Sequence, residues 1–162
     1  MIDTKTKPRI SFSLKLWRGS FPVHLVDNLK DTIQQMYRQS HVDFYMTEKG
    51  FSDHTWETMI SAIAGQGELW IALQDGKVVG WLLSGYSKEI DNEPTFVIRQ
   101  AWVDPVIRRT PRVKEMLGTI LFNAKSNLAK HVLIVSSRST RAYLRWLGKG
   151  WQPISTLIKG GL

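Results

Sequence analysis

The chain contains no cysteine, which excludes a disulfide framework, a thiolate metal site and a cysteine nucleophile, and is compatible with a reducing compartment. It has no apolar run approaching the ~18 residues of a membrane span, and its N-terminus, MIDTKTKPRISFSLKLW, lacks a continuous apolar core of the secretory kind. The reading is a soluble protein that stays in the cytoplasm. Acidic residues are also in deficit: 14 Asp plus Glu face 22 Lys plus Arg, a formal charge of +8. That balance favours anionic small molecules, an acidic protein partner or nucleic acid, and does not choose among them. The four histidines, His24, His41, His54 and His131, show no i,i+4 pairing and no clustering with carboxylates in sequence, so no metal site is expected. Neither a Gly-x-Ser-x-Gly elbow nor a Gly-x-x-x-x-Gly-Lys-Ser/Thr loop occurs, which argues against the hydrolase and nucleoside-triphosphatase versions of an α/β fold.

What is present suits one packed domain. The 162 residues are 43% hydrophobic and include seven tryptophans, enough for a single core. Most of these indoles sit on apolar strand or helix faces, where packing is a better explanation than stacking on single-stranded nucleic acid. Residues 1–9 read as a basic, mobile arm and residues 10–162 as the domain. From Val23 to Gln39, Leu25, Val26, Leu29, Ile33, Met36 and Tyr37 recur at helical steps, with Asp27 and Asp31 near the start. A loop with His41, Asp43 and Tyr45 follows. Ser52 or Asp53 is the expected cap of a second helix in which Trp56, Met59, Ile60 and Ile63 share a face, ending before Gly65-Gln66-Gly67.

The period then changes. Leu69–Leu73 and Val78–Leu83 flank Asp75-Gly76, a dipeptide suited to a tight hairpin turn. Thr95–Val103 is a third strand, stopped by Pro105. Thr110-Pro111 reads as a cap and first helical residue, with Val113, Met116, Leu117, Ile120, Leu121 and Ala124 as the buried face. His131–Val135 is a short strand, Ser139–Leu147 a helix closed by Gly148 and Gly150, and Trp151–Ile158 a last strand. Between strand and helix, Arg108, Arg109, Arg112 and Lys114 gather beside a helix N-terminus, whose unpaired N–H groups and dipole favour an anion; a solvated basic turn would look the same.

These segments, in this order, resemble the GCN5-related N-acetyltransferases (GNAT), in particular the small bacteriophage and prophage versions. GELWIALQDGKVVGWLL is similar to the family's second and third strands, AWVDPVIRR to its fourth strand and following loop, and STRAYLRWLGKGW to its closing helix. MYRQSHVDFYMTEKGFSDHTWETMI is similar to the acceptor-side helices and loop. The resemblance implies an α/β (α+β) domain: a strongly twisted mixed sheet, splayed between its fourth and fifth strands, with helices on both faces. It implies an acetyl-CoA-dependent N-acyltransferase acting on an amine of a protein or small molecule. Acetyl-CoA would lie in the opening between Phe96–Val103 and Val132–Val135, held by Trp102, Val103, Arg108, Arg109, Thr110, Arg112 and Ser139. His41, Asp43 and Tyr45 are the implied substrate-binding residues, and Tyr143 and Glu93 the catalytic candidates, with Gln100 as a further soft base.

The departures are equally specific. The family's phosphate loop reads Gln/Arg-x-x-Gly-x-Gly/Ala, and only Arg108 is kept; Pro111 offers no N–H and Val113 is branched. Trp146 stands where the family often has tyrosine, and an indole cannot reprotonate a thiolate. A catalytically silent GNAT-fold protein that binds a host or virion protein, and a nucleic-acid-binding module, are the alternative readings.

Overall fold

A computed structural model describes residues 12–39 and 46–135. The proposed arm at 1–9, the acceptor loop with His41, Asp43 and Tyr45, and the closing segments with Ser139, Tyr143, Trp146 and Trp151 lie outside the described residues. Five strands among the described residues form one sheet in the order β1-β2-β3-β4-β5: β1 (Phe12–Trp17), β2 (Glu68–Gln74), β3 (Lys77–Ile90), β4 (Glu93–Val103) and β5 (His131–Ile134). The first four are antiparallel neighbours and β5 is parallel to β4. A parallel pair needs a crossover, supplied here by α3 (Pro111–Ser126). A 3-10 turn (Val23–Leu25), α1 (Val26–Gln39) and α2 (Glu48–Ala64) lie between β1 and β2.

Alternation along the strands assigns the faces. Leu69, Ile71 and Leu73 of β2, with Trp81 and Leu83 of β3, pack against Leu25 of the 3-10 turn and Leu29, Ile33, Phe51, Met59 and Ile63 of the first two helices. Trp70, Leu82, Phe96 and Ile98 face Ile120 and Ala124 of α3, while Ala72 and Val79 meet Val113 and Met116. Helices therefore cover both faces, which is why β2 is almost continuously apolar and buried rather than alternating. One buried polar relay ties the layers: the Trp81 indole donates to Thr32 Oγ1 at 2.9 Å, and that hydroxyl donates to Leu29 O at 2.6 Å.

Several sequence expectations are corrected. The element order begins with a strand, not a helix: Phe12–Trp17 adds to β2, although its partly exposed pattern is that of an edge. Thr47, not Ser52 or Asp53, caps α2, its Oγ1 accepting from Gly50 N at 3.1 Å. The buried row of α2 is Phe51, Thr55, Met59 and Ile63, an i+4 series that leaves Ile60 43% exposed. β3 and β4 are longer than the apolar runs because Asp91-Asn92, both at positive φ (51° and 54°), make a second two-residue hairpin turn. Asp75-Gly76 adopts the expected positive-φ pair.

Candidate functional site

Within the described residues, β5 follows β4 over a short ladder. Among the described residues the two are paired from Thr95↔His131 to Ile98↔Ile134, with Val135 N donating to Ile98 O at 3.0 Å as the final described rung. Among the described residues, β4 beyond Ile98 has no strand partner on that side. The opening expected between these two strands would have its apex at Ile98.

A β-bulge coincides with the apex. Leu83 pairs with Gln100 but Ser84 pairs with Ile98, so Arg99 is the extra residue on β4. The bulge reverses which face each side chain meets: Phe96 and Ile98 face α3, whereas Trp102 packs with the α1/α2 layer. It also resets the backbone. Because Asp104 N donates to Val79 O, alternation in the antiparallel ladder turns the Trp102 amide toward β3 and the amides of Ala101 and Val103 toward the opening. The Trp102 amide therefore faces β3 and not the edge expected to hold a cofactor. Trp102 is 4% exposed and serves the core, its indole donating to Gln39 Oε1 at 3.2 Å. Ala101, passed over in the sequence, is the residue that joins Val103 on the open edge.

Arg108 is drawn onto that edge. Its Nε donates to Val103 O at 2.8 Å, and its Nη2 to Gln39 Oε1 at 3.0 Å, so Gln39 receives both the indole and the guanidinium. The loop before α3 is wound into successive turns. Asp104 Oδ1 accepts from Val106 N at 2.9 Å, Asp104 O from Ile107 N at 3.0 Å, Pro105 O from Arg108 N at 3.4 Å and Ile107 O from Thr110 N at 3.1 Å. These amides are occupied within the loop. Thr110 stands at the cap position of α3, but its hydroxyl donates backwards to Ile107 O at 2.7 Å and makes no capping bond. The helix thus begins with Pro111, which has no N–H, and without a side-chain cap; Val113 N donates to Thr110 O at 3.4 Å, so the Arg112 amide and the helix dipole are what the first turn offers an anion. Val113 is buried against Ile107 and Val79, and Pro111 is exposed, so neither fills the space in front of that turn. Arg112 lies over the Phe12 ring at 4.5 Å, so its guanidinium has a cation–π partner in the fold. Arg109 is exposed and has no ion pair or hydrogen bond among the described residues.

Glu93 sits at the far end of β4, roughly 20 Å along the strand from Arg99 at about 3.3 Å per residue. There it meets His131 Nε2 at 3.3 Å. Asp91, Glu93 and His131 bring three ligand-type atoms within 4.8 Å of one another, a grouping the sequence reading did not anticipate. The structure does not bring Glu93 to the opening. Gln100 is placed beside it, on the α1/α2 face, with a buried Oε1 that has no hydrogen-bond partner among the described residues.

Two hollows adjoin the apex. An apolar cavity of about 60 Å³ lies between α3 and the sheet behind Ala101 and Val103. On the α1/α2 face a polar groove of about 570 Å³ runs between the C-terminal half of α2 and the strands at Gly85, Tyr86 and Arg99, with His54 and Glu57 on its helical wall. The Tyr86 phenol is held above its ordinary value of 10.0, chiefly by burial; the hydrogen bond from Asn127 opposes this, the Glu68 charge adds to it and Arg18 opposes it. No helix among the described residues is long and apolar enough to cross a membrane.

No protein-family model matches the chain, and no curated protein does. Solved structures do match in fold. An aminoglycoside acetyltransferase from an uncultured soil metagenomic sample, in complex with trehalose, superposes with a TM-score of 0.65 at 11% identity, covering 93% of this chain and 97% of that one. Aminoglycoside N-acetyltransferase AAC(6')-Iy in complex with CoA gives 0.64 at 12% identity, covering 96% and 98%. Ribosomal-protein-alanine N-acetyltransferase from Brucella melitensis biovar Abortus 2308 gives 0.61 at 13% identity, covering 93% and 100%. With its mixed five-stranded sheet and its helices on both faces, the chain has the fold of the GNAT N-acetyltransferases.

Proposed function

We propose that the protein is an acetyl-CoA-dependent N-acyltransferase. The observation that carries this reading is the edge of β4 at Ala101 and Val103, which has no strand partner among the described residues and whose Ala101 and Val103 amides face outward, next to the N-terminus of α3. A pantetheine arm carries amides that can bond to such an edge as an added strand does. The pyrophosphate would meet the first turn of α3 with Arg109 and Lys114, side-chain charge taking over from the loop amides already in use. That division explains how Pro111 and Val113 are tolerated: recognition rests on the helix dipole and arginine rather than on a glycine-lined loop. The likeness to an N-acetyltransferase solved with CoA supports the same co-substrate.

In the reaction, the acceptor nitrogen attacks the acetyl carbonyl, the amide C–N bond forms and the thioester C–S bond breaks. An ammonium acceptor releases two protons, one ending on the departing thiolate as CoA–SH and one in solvent. Gln100 Oε1, buried and unpartnered beside the apex, is placed to accept an N–H of the incoming amine and orient its lone pair. The amide does not take the proton, so water carries it. Glu93 has no part in this scheme; Tyr143 and Ser139 keep the roles that the resemblance implies. The test is thiol release: the protein incubated with acetyl-CoA and a panel of amines should free CoA–SH in proportion to acetylated amine. Absence of amine-dependent release across amino acids, peptides and aminoglycosides would refute it.

A further inference from the structure

Arg99 is the extra residue of the β4 bulge, one position past the last rung to β5. It is the cation on the sheet side of the 570 Å³ groove. Its side chain is exposed and, among the described residues, no carboxylate or hydrogen bond engages it. The cross-sheet neighbour is a glycine, and Arg99 Nε lies 3.7 Å from where a Cβ of Gly85 would stand, an ordinary contact distance that places the guanidinium stem over β3. On the opposite, helical wall stand Glu57 and His54, also without ion pairs among the described residues. A groove with a lone guanidinium on one side and a carboxylate on the other is complementary to a ligand that carries both charges. The surplus of eight positive charges adds a long-range pull on the anionic end.

We infer that this groove receives the acceptor and that Arg99 selects amines bearing their own carboxylate, such as an amino acid or a short peptide with a free C-terminus. The inference rests on the transfer reading above and names its substrate class. A guanidinium holds a carboxylate by two parallel hydrogen bonds, while Glu57 attracts the ammonium. Because Arg99 adjoins the apex of the splay, a carboxylate held there leaves the nearby amine beside the point where β4 becomes free. Polycationic amines, such as the aminoglycosides of the structural neighbours, meet a like charge at the same place.

The experiment is isothermal titration of the full chain with three probes: L-alanyl-L-alanine, its C-terminal amide and neamine. The expected result is binding of the free acid about tenfold or more tighter than the amide, as for one charge-assisted contact, with neamine weaker than the free acid. Arg99→Ala should abolish the acid-to-amide ratio and Arg99→Lys should restore part of it; the position is exposed, so folding is not at stake. Equal binding of acid and amide, an unchanged ratio in Arg99→Ala, tighter binding of neamine, or no binding of either peptide would overturn the inference. Heat stabilisation by acetyl-CoA, measured in the same wild-type and Arg99→Ala samples, reports on the transfer reading separately. Its absence from both would count against acetyl transfer while the peptide ratio still decides the role of Arg99.

Discussion

The carbonyl of Val103 accepts a hydrogen bond from Arg108 Nε, and the same guanidinium reaches Gln39 Oε1, which also holds the Trp102 indole. The end of α1, the open edge of β4 and the basic loop are thereby joined at one amide oxygen. The two ends of this link differ in exposure. Arg108→Ala frees groups that water can satisfy and should lower stability by about 1 kcal/mol or less. Gln39→Ala leaves the indole N–H of a buried tryptophan without its acceptor and should cost more, about 1–3 kcal/mol. Urea unfolding of both variants checks the ranking, and a larger loss in Arg108→Ala would reverse it.

Gly67 closes α2 onto β2, its N–H donating to Ala62 O at 2.7 Å. A Cβ there would stand 2.5 Å from that carbonyl oxygen and 2.8 Å from Ala62 Cβ, contacts that only backbone movement can relieve. Gly67→Ala should therefore destabilise the fold by about 1–3 kcal/mol, as overpacking does. Gly76→Ala tests a different cause. Nothing lies near its Cβ, but φ is +77°, so its cost is conformational and about 1 kcal/mol. Equal midpoints for wild type and Gly67→Ala would contradict the packing at this turn.

Tyr86 gives stability a dependence on alkaline pH. Burial raises its pKa in the folded state, so between the unfolded value and the raised one the folded chain binds more protons than the unfolded chain. Stability from this group is complete below pH 10.0 and is lost as pH rises through the folded value. Tyr86→Phe should flatten that alkaline decline in denaturation midpoints taken from pH 8 upward, about two units below and above the phenol's usual titration. An identical slope in the variant would show that the phenol does not titrate with folding.

Much of this architecture was legible in the sequence because periodicity and turn chemistry are local. Asp75-Gly76, the helical spacing of Leu25, Leu29 and Ile33, and Thr110-Pro111 each announced an element from within a few residues. Phe12–Trp17 was missed because an edge strand buries only part of each side chain and sits beside a basic segment that reads as an arm. Asp91-Asn92 was missed because polar residues after Leu83 hide a strand that is still paired. The site was less readable still. A one-residue bulge at Arg99 has no sequence signature, yet it turns Trp102 into the core and gives the edge to Ala101 and Val103. Glu93 looked close to the chemistry in sequence, but a strand carries residues apart at about 3.3 Å each, and its end belongs to His131.

Arg112 is engaged over Phe12, whereas Arg109 has no ion pair or hydrogen bond among the described residues, and under the proposed function Arg109 is the one left to meet phosphate. Arg112→Ala should lower stability by about 0.5–1 kcal/mol, the worth of an exposed cation–π contact, and change acetyl-CoA affinity little. Arg109→Ala should leave the melting temperature alone and weaken acetyl-CoA binding about tenfold, the loss of one charge-assisted phosphate contact. Thermal unfolding with and without ligand separates the two, and comparable losses of affinity in both variants would contradict the division.

The account turns on whether the free edge of β4 and the uncapped start of α3 hold acetyl-CoA, and heat stabilisation of the wild-type chain measures this most directly. At a ligand concentration about a hundred times Kd, linkage predicts about 2.7 kcal/mol of added stability, an upward shift of roughly 5–10 °C. That shift should shrink in Arg109→Ala. An unchanged melting temperature in millimolar acetyl-CoA would contradict the account and leave the fold without its proposed co-substrate.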